Sequence, residues 1–405
     1  MIMRIVLLLM LVAHVQQLHA QTDVRKKIQT DLILVEDGDT VNIPEGVFSI
    51  DATLSMEGKK RVVIRGAGTD RTILNFAGQT TGAEGLRVSA AEHITIEDLT
   101  VRDAKGDAVK TMNVQGITFR RVRTDWSGKP KSSNGAYGLY PVRCSDVLIE
   151  DCEARGASDA GIYVGQSRNI IVRGCKAFEN VAGIEIENSS HADVYNNEAY
   201  NNTGGILVFD LPDLQVKRGG YTRVFDNLVR ANNLANFAPK GNIVGKVPQG
   251  TGIILLAANH VEIFRNRIHE NRTVGTSINS YYITENKIRD KSYDPYPTAI
   301  SVHDNDFVKK RRKATMRGRM GKLYRFKLKF GRNVPDIIFD GILDEKRKPV
   351  NGNYPGEDRI CIYGNRQAGF ANIDAEHDFK NISRDAAPYT CLPTPLAAVM
   401  LPGQK

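Results

Sequence analysis

A repeat constrains this chain more than any other feature. Small residues followed by apolar ones recur as Gly85-Leu86, Ala108-Val109, Gly138-Leu139, Gly161-Ile162, Gly183-Ile184, Gly205-Ile206, Gly252-Ile253 and, more loosely, Ser277-Ile278. The apolar members lie 23, 30, 23, 22, 22, 47 and 25 residues apart, a base period of 22 to 23 with one modest and one large insertion. Each period carries a second apolar run, such as Ile94-Thr95-Ile96, Val147-Leu148-Ile149, Ile170-Ile171-Val172 or Val261-Glu262-Ile263-Phe264. These runs alternate with period two and are not spaced as hairpins, and none sustains the i, i+3, i+4 pattern of a helix.

A fixed period of this length marks a solenoid. About three short strands per period predict an all-β, right-handed, single-stranded parallel β-helix, its coils stacked ~4.8 Å apart at the strand-pairing distance. Equal offsets then become ladders of like side chains. Asn197, Asn227, Asn266, Asn286 and Asn365 are assigned to one such ladder at a turn, where Asn tolerates the left-handed conformation and stacked amides hydrogen-bond to one another. Cys152 and Cys175 share a slot and read as buried thiols. Residues 24–34 read as an amphipathic helix closing the open end, as terminal repeats require.

The N-terminal 20 residues, with Arg4 ahead of an apolar run and Leu18-His19-Ala20 before Gln21, read as a signal peptide. The expected location is therefore exported, periplasmic or extracellular. No later stretch reaches the ~18 apolar residues of a spanning helix, so the chain is not expected to be integral to a membrane. Five cysteines in an exported chain leave Cys361 and Cys391, 30 apart, as the expected disulfide. No cofactor and no metal site are expected, because no Cys/His cluster has zinc or haem spacing. The predicted layout is a β-helix over 21–375, with insertions at 211–250 and 290–355, followed by a C-terminal tail, 376–405.

The net charge of +9 raises a nucleic-acid reading. Twelve positive residues, however, fall within 308–332 and no acidic one does; without them 43 basic residues face 46 acidic ones, a net of −3. The basic character belongs to one insertion, which reads either as an arm for an anionic partner (acidic polysaccharide, membrane surface or acidic protein) or as a solvated loop or helical tether, and no nucleic acid is expected. Within it, 324–330 alternates apolar and basic residues, so part of it reads as a strand on the coil's edge.

Residues one position after each inward apolar member form an outer column: Arg87, Lys110, Tyr140, Tyr163, Glu185, Leu207, Ile254 and Asn279. Two positions further stand Ser89, Met112, Val142, Gly165, Glu187, Phe209, Leu256 and Tyr281. The apolar half should be covered by insertions 211–220 and 233–250, leaving a groove above Lys110, Tyr140, Tyr163 and Glu185. Tyrosine faces suit pyranose rings, and Arg87, Arg143, Glu185 and Glu187 are the expected substrate-binding residues. For a lyase or epimerase of uronic acids, Lys110, Tyr140 and Tyr163 are the catalytic candidates, with Lys110 or a tyrosinate as base and Arg87 as charge neutraliser.

The order Gly38-Asp39-Thr40, then Arg65-Gly66-Ala67-Gly68, resembles the entry of pectate-lyase-like β-helix proteins. Tyr137-Gly138-Leu139-Tyr140-Pro141-Val142 resembles the Tyr-Gly-x-Asp-Pro-His segment of alginate C5-epimerases, but Tyr140 and Val142 replace its Asp and His, so that family's acid/base pair is missing. The coils are also similar to NosD-like periplasmic proteins. Pro335–Gly341, Arg359–Ile362 and Ala371–Asp374 resemble an exported bacterial family with paired β-helix repeats. That resemblance implies no established activity and a partner that is an exported haem-c-type protein. Three functions follow as expectations: a carbohydrate-associated binding protein, a polysaccharide lyase or C5-epimerase, or a scaffold for a haem-containing redox partner.

Overall fold

The computed structural model describes residues 24–309, 322–347, 358–366 and 368–403. The proposed signal segment and residues 310–321 of the basic insertion lie outside them. All strand ladders are parallel and join into one continuous sheet of 28 strands that winds into a coil. Three faces result. The first stacks Tyr137–Val142, Ala160–Gly165, Ala182–Glu187, Gly204–Phe209, Thr251–Leu256 and Val274–Asn279. The second stacks Ser145–Glu150, Arg168–Arg173, Ser190–Tyr195, Gly220–Phe225, Asn259–Phe264 and Thr298–His303. The third carries three-residue strands such as Lys176–Phe178 and Glu198–Tyr200.

Alternation along each strand sends every second residue inward. Leu86, Val109, Leu139, Ile162, Ile184, Ile206 and Ile253 form one fully buried column of the core. At the open end, residues 24–34 are helical and bury Ile28 and Leu32 against the first coils.

Corner geometry differs from expectation in one respect. The left-handed residue is the one before each ladder position: Asp151, Gly174, Asn196, Asp226, Arg265 and Asp304 all have φ between 51° and 66°. The next residue turns inward, giving the stack Cys152, Cys175, Asn197, Asn227, Asn266, Asn305 and Asn365. Each ladder Asn Oδ1 accepts from the preceding coil; Asn227 Oδ1 takes Asn197 N at 3.0 Å and Asn197 Nδ2 at 3.0 Å. Asn286 is not a member and Asn305 takes its place, because the chain leaves the coil after Asn279 and resumes it at Thr298. A second ladder, Asn180, Asn202, Asn232 and Asn271, stands at another corner.

Two further corrections concern the later coils. The strand Val274–Asn279 points polar Thr276 inward, so alignment on an apolar residue slips by two and the outer residues are Ser277 and Asn279, not Asn279 and Tyr281. The predicted strand at 324–330 is instead a single helical turn, Leu323–Lys327, because Tyr324 and Leu328, four apart, both bury against Val274 and Ile338. Cys361 and Cys391 form the expected disulfide, while Cys144, Cys152 and Cys175 are buried free thiols. Beyond Cys391 the tail runs back along the second face, with Leu396 N on Glu262, Val399 N on Asp193, and Leu401 packed on Leu148 and Ile171.

Candidate functional site

The outer column of the first face holds the expected residues in register: Arg87 beside Lys110, Lys110 beside Tyr140, and Tyr163 beside Glu185. Lys110 Nζ lies 4.7 Å from the Tyr140 ring centre and pairs with Asp107 at 3.2 Å and Glu84 at 3.7 Å. Tyr140 and Tyr163 meet edge to face with centroids 4.9 Å apart, and Tyr137 touches both rings. Lys110, Tyr140 and Tyr163 therefore form one cluster.

Tyr163 bends along its own strand instead of standing off the sheet. A Cβ at position 165 would come within 2.4 Å of its ring, so Gly165 is what allows the fold-over. The Tyr163 hydroxyl then donates to Glu187 Oε1 at 2.5 Å. Glu185 is wholly buried, and neither of its carboxyl oxygens has a hydrogen-bond partner among the described residues. The insertion at 233–250 lies over this point: Val244 and Val247 pack on Leu207 and Phe209, and Asn242 Nδ2 donates to Asp159 Oδ2 at 2.9 Å. The apolar half of the column is covered as expected. The groove expected above all four residues is not open, because the same cover seals Tyr163 and Glu185. Lys110 and Tyr140 remain half-buried at its rim.

Arg87 is also half-buried, and its Nε is enclosed without a hydrogen-bond acceptor among the described residues. Arg143 lies at the corner beyond Val142, where Nη1 donates to Gln215 Oε1 at 2.9 Å. It faces the insertion at 211–219 and takes no part in the tyrosine cluster.

Burial dominates the electrostatics. Desolvation carries Asp159 and Glu187 up to about 7 despite hydrogen bonds from Asn242 and Tyr163, and it raises Glu185 and Asp107 as well. The same cause pushes Tyr140 up to about 12 and raises Tyr137 and Tyr163 further. A tyrosinate base needs the opposite shift. The cluster is thus built of protonated phenols and of buried acids whose ionisation is disfavoured, beneath a rim of Arg87 and of Lys110, which pairs with Asp107 and Glu84.

Asp159, Asp107 and Tyr137 were not among the residues expected from sequence. Asp107 and Asp159 sit just before their strands, and Tyr137 is the first residue of its strand, so none falls on the column offsets. No group of three His, Cys, Asp or Glu among the described residues is arranged to hold a metal ion.

Residues 62–218 match the family model described as the right handed beta helix region. The coil is a right-handed β-helix. Among curated proteins, the chain is 25% identical over 211 residues to the pre-neck appendage protein of Bacillus phage B103, a match covering 43% of this chain and 24% of that relative's length. Among solved structures it is similar to the Azotobacter vinelandii mannuronan C-5 epimerase AlgE4 A-module, with a TM-score of 0.51 and 16% identity over 81% of this chain and 86% of that one. The AlgE6 A-module of the same organism follows at a TM-score of 0.45 and 15% identity, over 71% of this β-helix and 82% of that chain. The family model and the likeness to the AlgE4 A-module at 16% identity support the fold alone and leave the chemistry to this chain's own residues.

Proposed function

We propose that this β-helix is an exported carbohydrate-binding protein whose first face takes an acidic polysaccharide at the Arg87–Lys110–Tyr140 rim, without lyase or epimerase chemistry. One observation carries the reading: two cations and an aromatic face stand in register at the edge of an interior whose carboxyls Asp159 and Glu187 are raised to about 7 by burial. The half-buried Arg87 side chain offers its guanidinium to a uronate carboxylate, and Tyr140 offers a ring face to the sugar. The upward shifts of Tyr140 and Tyr163 disfavour either as a base. Tyr163 is a positioning residue, sealed beneath the cover. The disulfide Cys361–Cys391 supports export, since such bonds persist in oxidising compartments.

The test is affinity electrophoresis in gels containing polymannuronate or polygalacturonate near pH 6. The wild type should be retarded, and the Arg87→Ala/Lys110→Ala double variant should run freely. Equal retardation of both sinks the rim. Appearance of unsaturated-uronate ultraviolet absorbance, or epimerisation by NMR, would show that the site is catalytic after all. Docking of an exported haem-c-type protein rests on the sequence resemblance alone; co-purification of a haem-containing protein is its measurement.

A further inference from the structure

A cleft of about 510 Å³ lies at the corner between the first and second faces, walled on one side by Val216 of the insertion. Arg143 follows the strand Tyr137–Val142, and Arg168 opens the strand Arg168–Arg173 one coil later, in register with Ser145. Coils stacked ~4.8 Å apart thus bring both residues to the lining of one concavity.

No carboxylate lines the cleft; its remaining polar groups are neutral amides and hydroxyls, among them Asn113, Gln115, Ser145 and Ser190. Arginines on neighbouring strands are matched: Arg120 and Arg173 share Glu150, Arg155 holds Asp125 and Glu179, and Arg223 holds Asp193. Arg143 and Arg168 form no ion pair among the described residues. Arg143 donates to the neutral Gln215 amide oxygen at 2.9 Å, and Arg168 is exposed. Two guanidiniums lining one cleft without a counter-ion repel each other. An oxyanion between them removes that repulsion and gains paired N–H···O bonds. No aromatic ring lines the cleft, so a neutral sugar finds no stacking face there. Arg143 stands three residues beyond Tyr140, about 10 Å along an extended chain. Burial holds the Tyr140 phenol high and the Arg143 charge opposes that shift, so cleft and rim act on one another electrostatically.

We propose that this corner cleft is a second acidic-sugar subsite, in which Arg143 and Arg168 clamp the carboxylate of a uronate residue. It rests on the polyuronate reading for its ligand class, and it carries the bound chain from the rim around the corner onto the second face.

The experiment is titration calorimetry of the full chain with hexamannuronate, beside electrophoresis in polymannuronate gels. Arg143→Gln/Arg168→Gln should weaken the hexasaccharide tenfold or more and reduce retardation in the gel. Lys129→Ala/Lys131→Ala removes the same charge from exposed positions away from the cleft and should match the wild type. Arg168→Gln alone, at an exposed site where the fold has nothing to lose, should already weaken binding severalfold. Binding by the cleft variants equal to the wild type, or weakened only as far as in the lysine control, overturns the subsite. The Arg87→Ala/Lys110→Ala variant reads the rim separately. Normal binding by that variant, with loss in the cleft variants, removes the rim and leaves the cleft standing. A wild type that binds no polyuronate overturns both.

Discussion

Raising the pH from 5 to 7.5 should destabilise this protein, and the buried carboxyls under the first-face cover are the reason. Asp159 titrates at about 7 when folded against 3.8 when free, and Glu187 at about 7 against 4.5. Both folded values lie above the unfolded ones. Between pH ~4 and ~7 the folded state therefore binds more protons than the unfolded chain, and stability falls as pH rises through that window, levelling off above it. At 1.36 kcal/mol per pKa unit, Asp159 alone corresponds to roughly 4 kcal/mol and Glu187 to roughly 3 kcal/mol. The two sites repel each other when ionised, so their joint effect is not a simple sum. Thermal melts by circular dichroism should show a fall of roughly 5–10 °C across the window, because ~2.1 cal/mol/K of unfolding entropy per residue makes 1 kcal/mol worth about 1.2 °C in a chain of 405 residues. The Asp159→Asn/Glu187→Gln double variant keeps acceptors for Asn242 and Tyr163 and should lose about half the slope. The remainder belongs to other buried acids, Asp210 at about 7 and Asp340 at about 6. A wild-type melting temperature that is flat or rising from pH 5 to 7.5, or a double variant with the full slope, refutes the argument.

Glu185→Leu should raise the melting temperature at pH 8, because it removes a buried carboxyl without hydrogen bonds from beside Leu207, a gain of about 1–3 kcal/mol read by the same melts. Asn227→Ala should cost about 2–5 kcal/mol in urea unfolding, since it strands the buried Asn197 N–H and the Val194 carbonyl at once. Cys391→Ser should cost about 2–4 kcal/mol and free the tail, detected as new proteolytic cleavage between residues 392 and 401.

The coil was legible in the sequence because a solenoid writes the same constraint once per turn. Inward positions from Leu86 to Ile253 could be aligned by eye, and the outer columns followed from the alternation. Legibility failed where a coil broke its own rule. Thr276 stands in a core position that the seven coils from Leu86 to Ile253 fill with an apolar residue, which moved the register by two. Asn286 offered the right residue in the wrong place because an excursion of 18 residues, 280–297, interrupts its coil. The 324–330 segment alternates like a strand, but the burial of Tyr324 and Leu328, four apart, decided for a turn of helix. Closure of the groove could not be read at all. It depends on Asn242 reaching Asp159, a contact 83 residues apart that no periodicity encodes.

Ladders also explain why function should gather beside the insertions. A regular coil presents identical residues at each level, so its outer face is uniform: Arg, Glu and aromatic columns on the second face simply stack or pair, as Tyr195, Phe225, Phe264 and His303 do. Such columns satisfy one another and leave nothing poised. Where an excursion lies over the coil, outward residues become buried without a cation beside them, and Asp159, Glu185 and Glu187 there depart from the ordinary behaviour of surface acids. Both sites argued for lie at such places. One is at the edge of the 233–250 cover, where burial raises the acids beside Lys110 and Tyr140. The other is at the corner beside 211–219, where Val216 walls the cleft of Arg143 and Arg168. Regularity builds the scaffold, and each interruption creates a surface the repeat alone would not have.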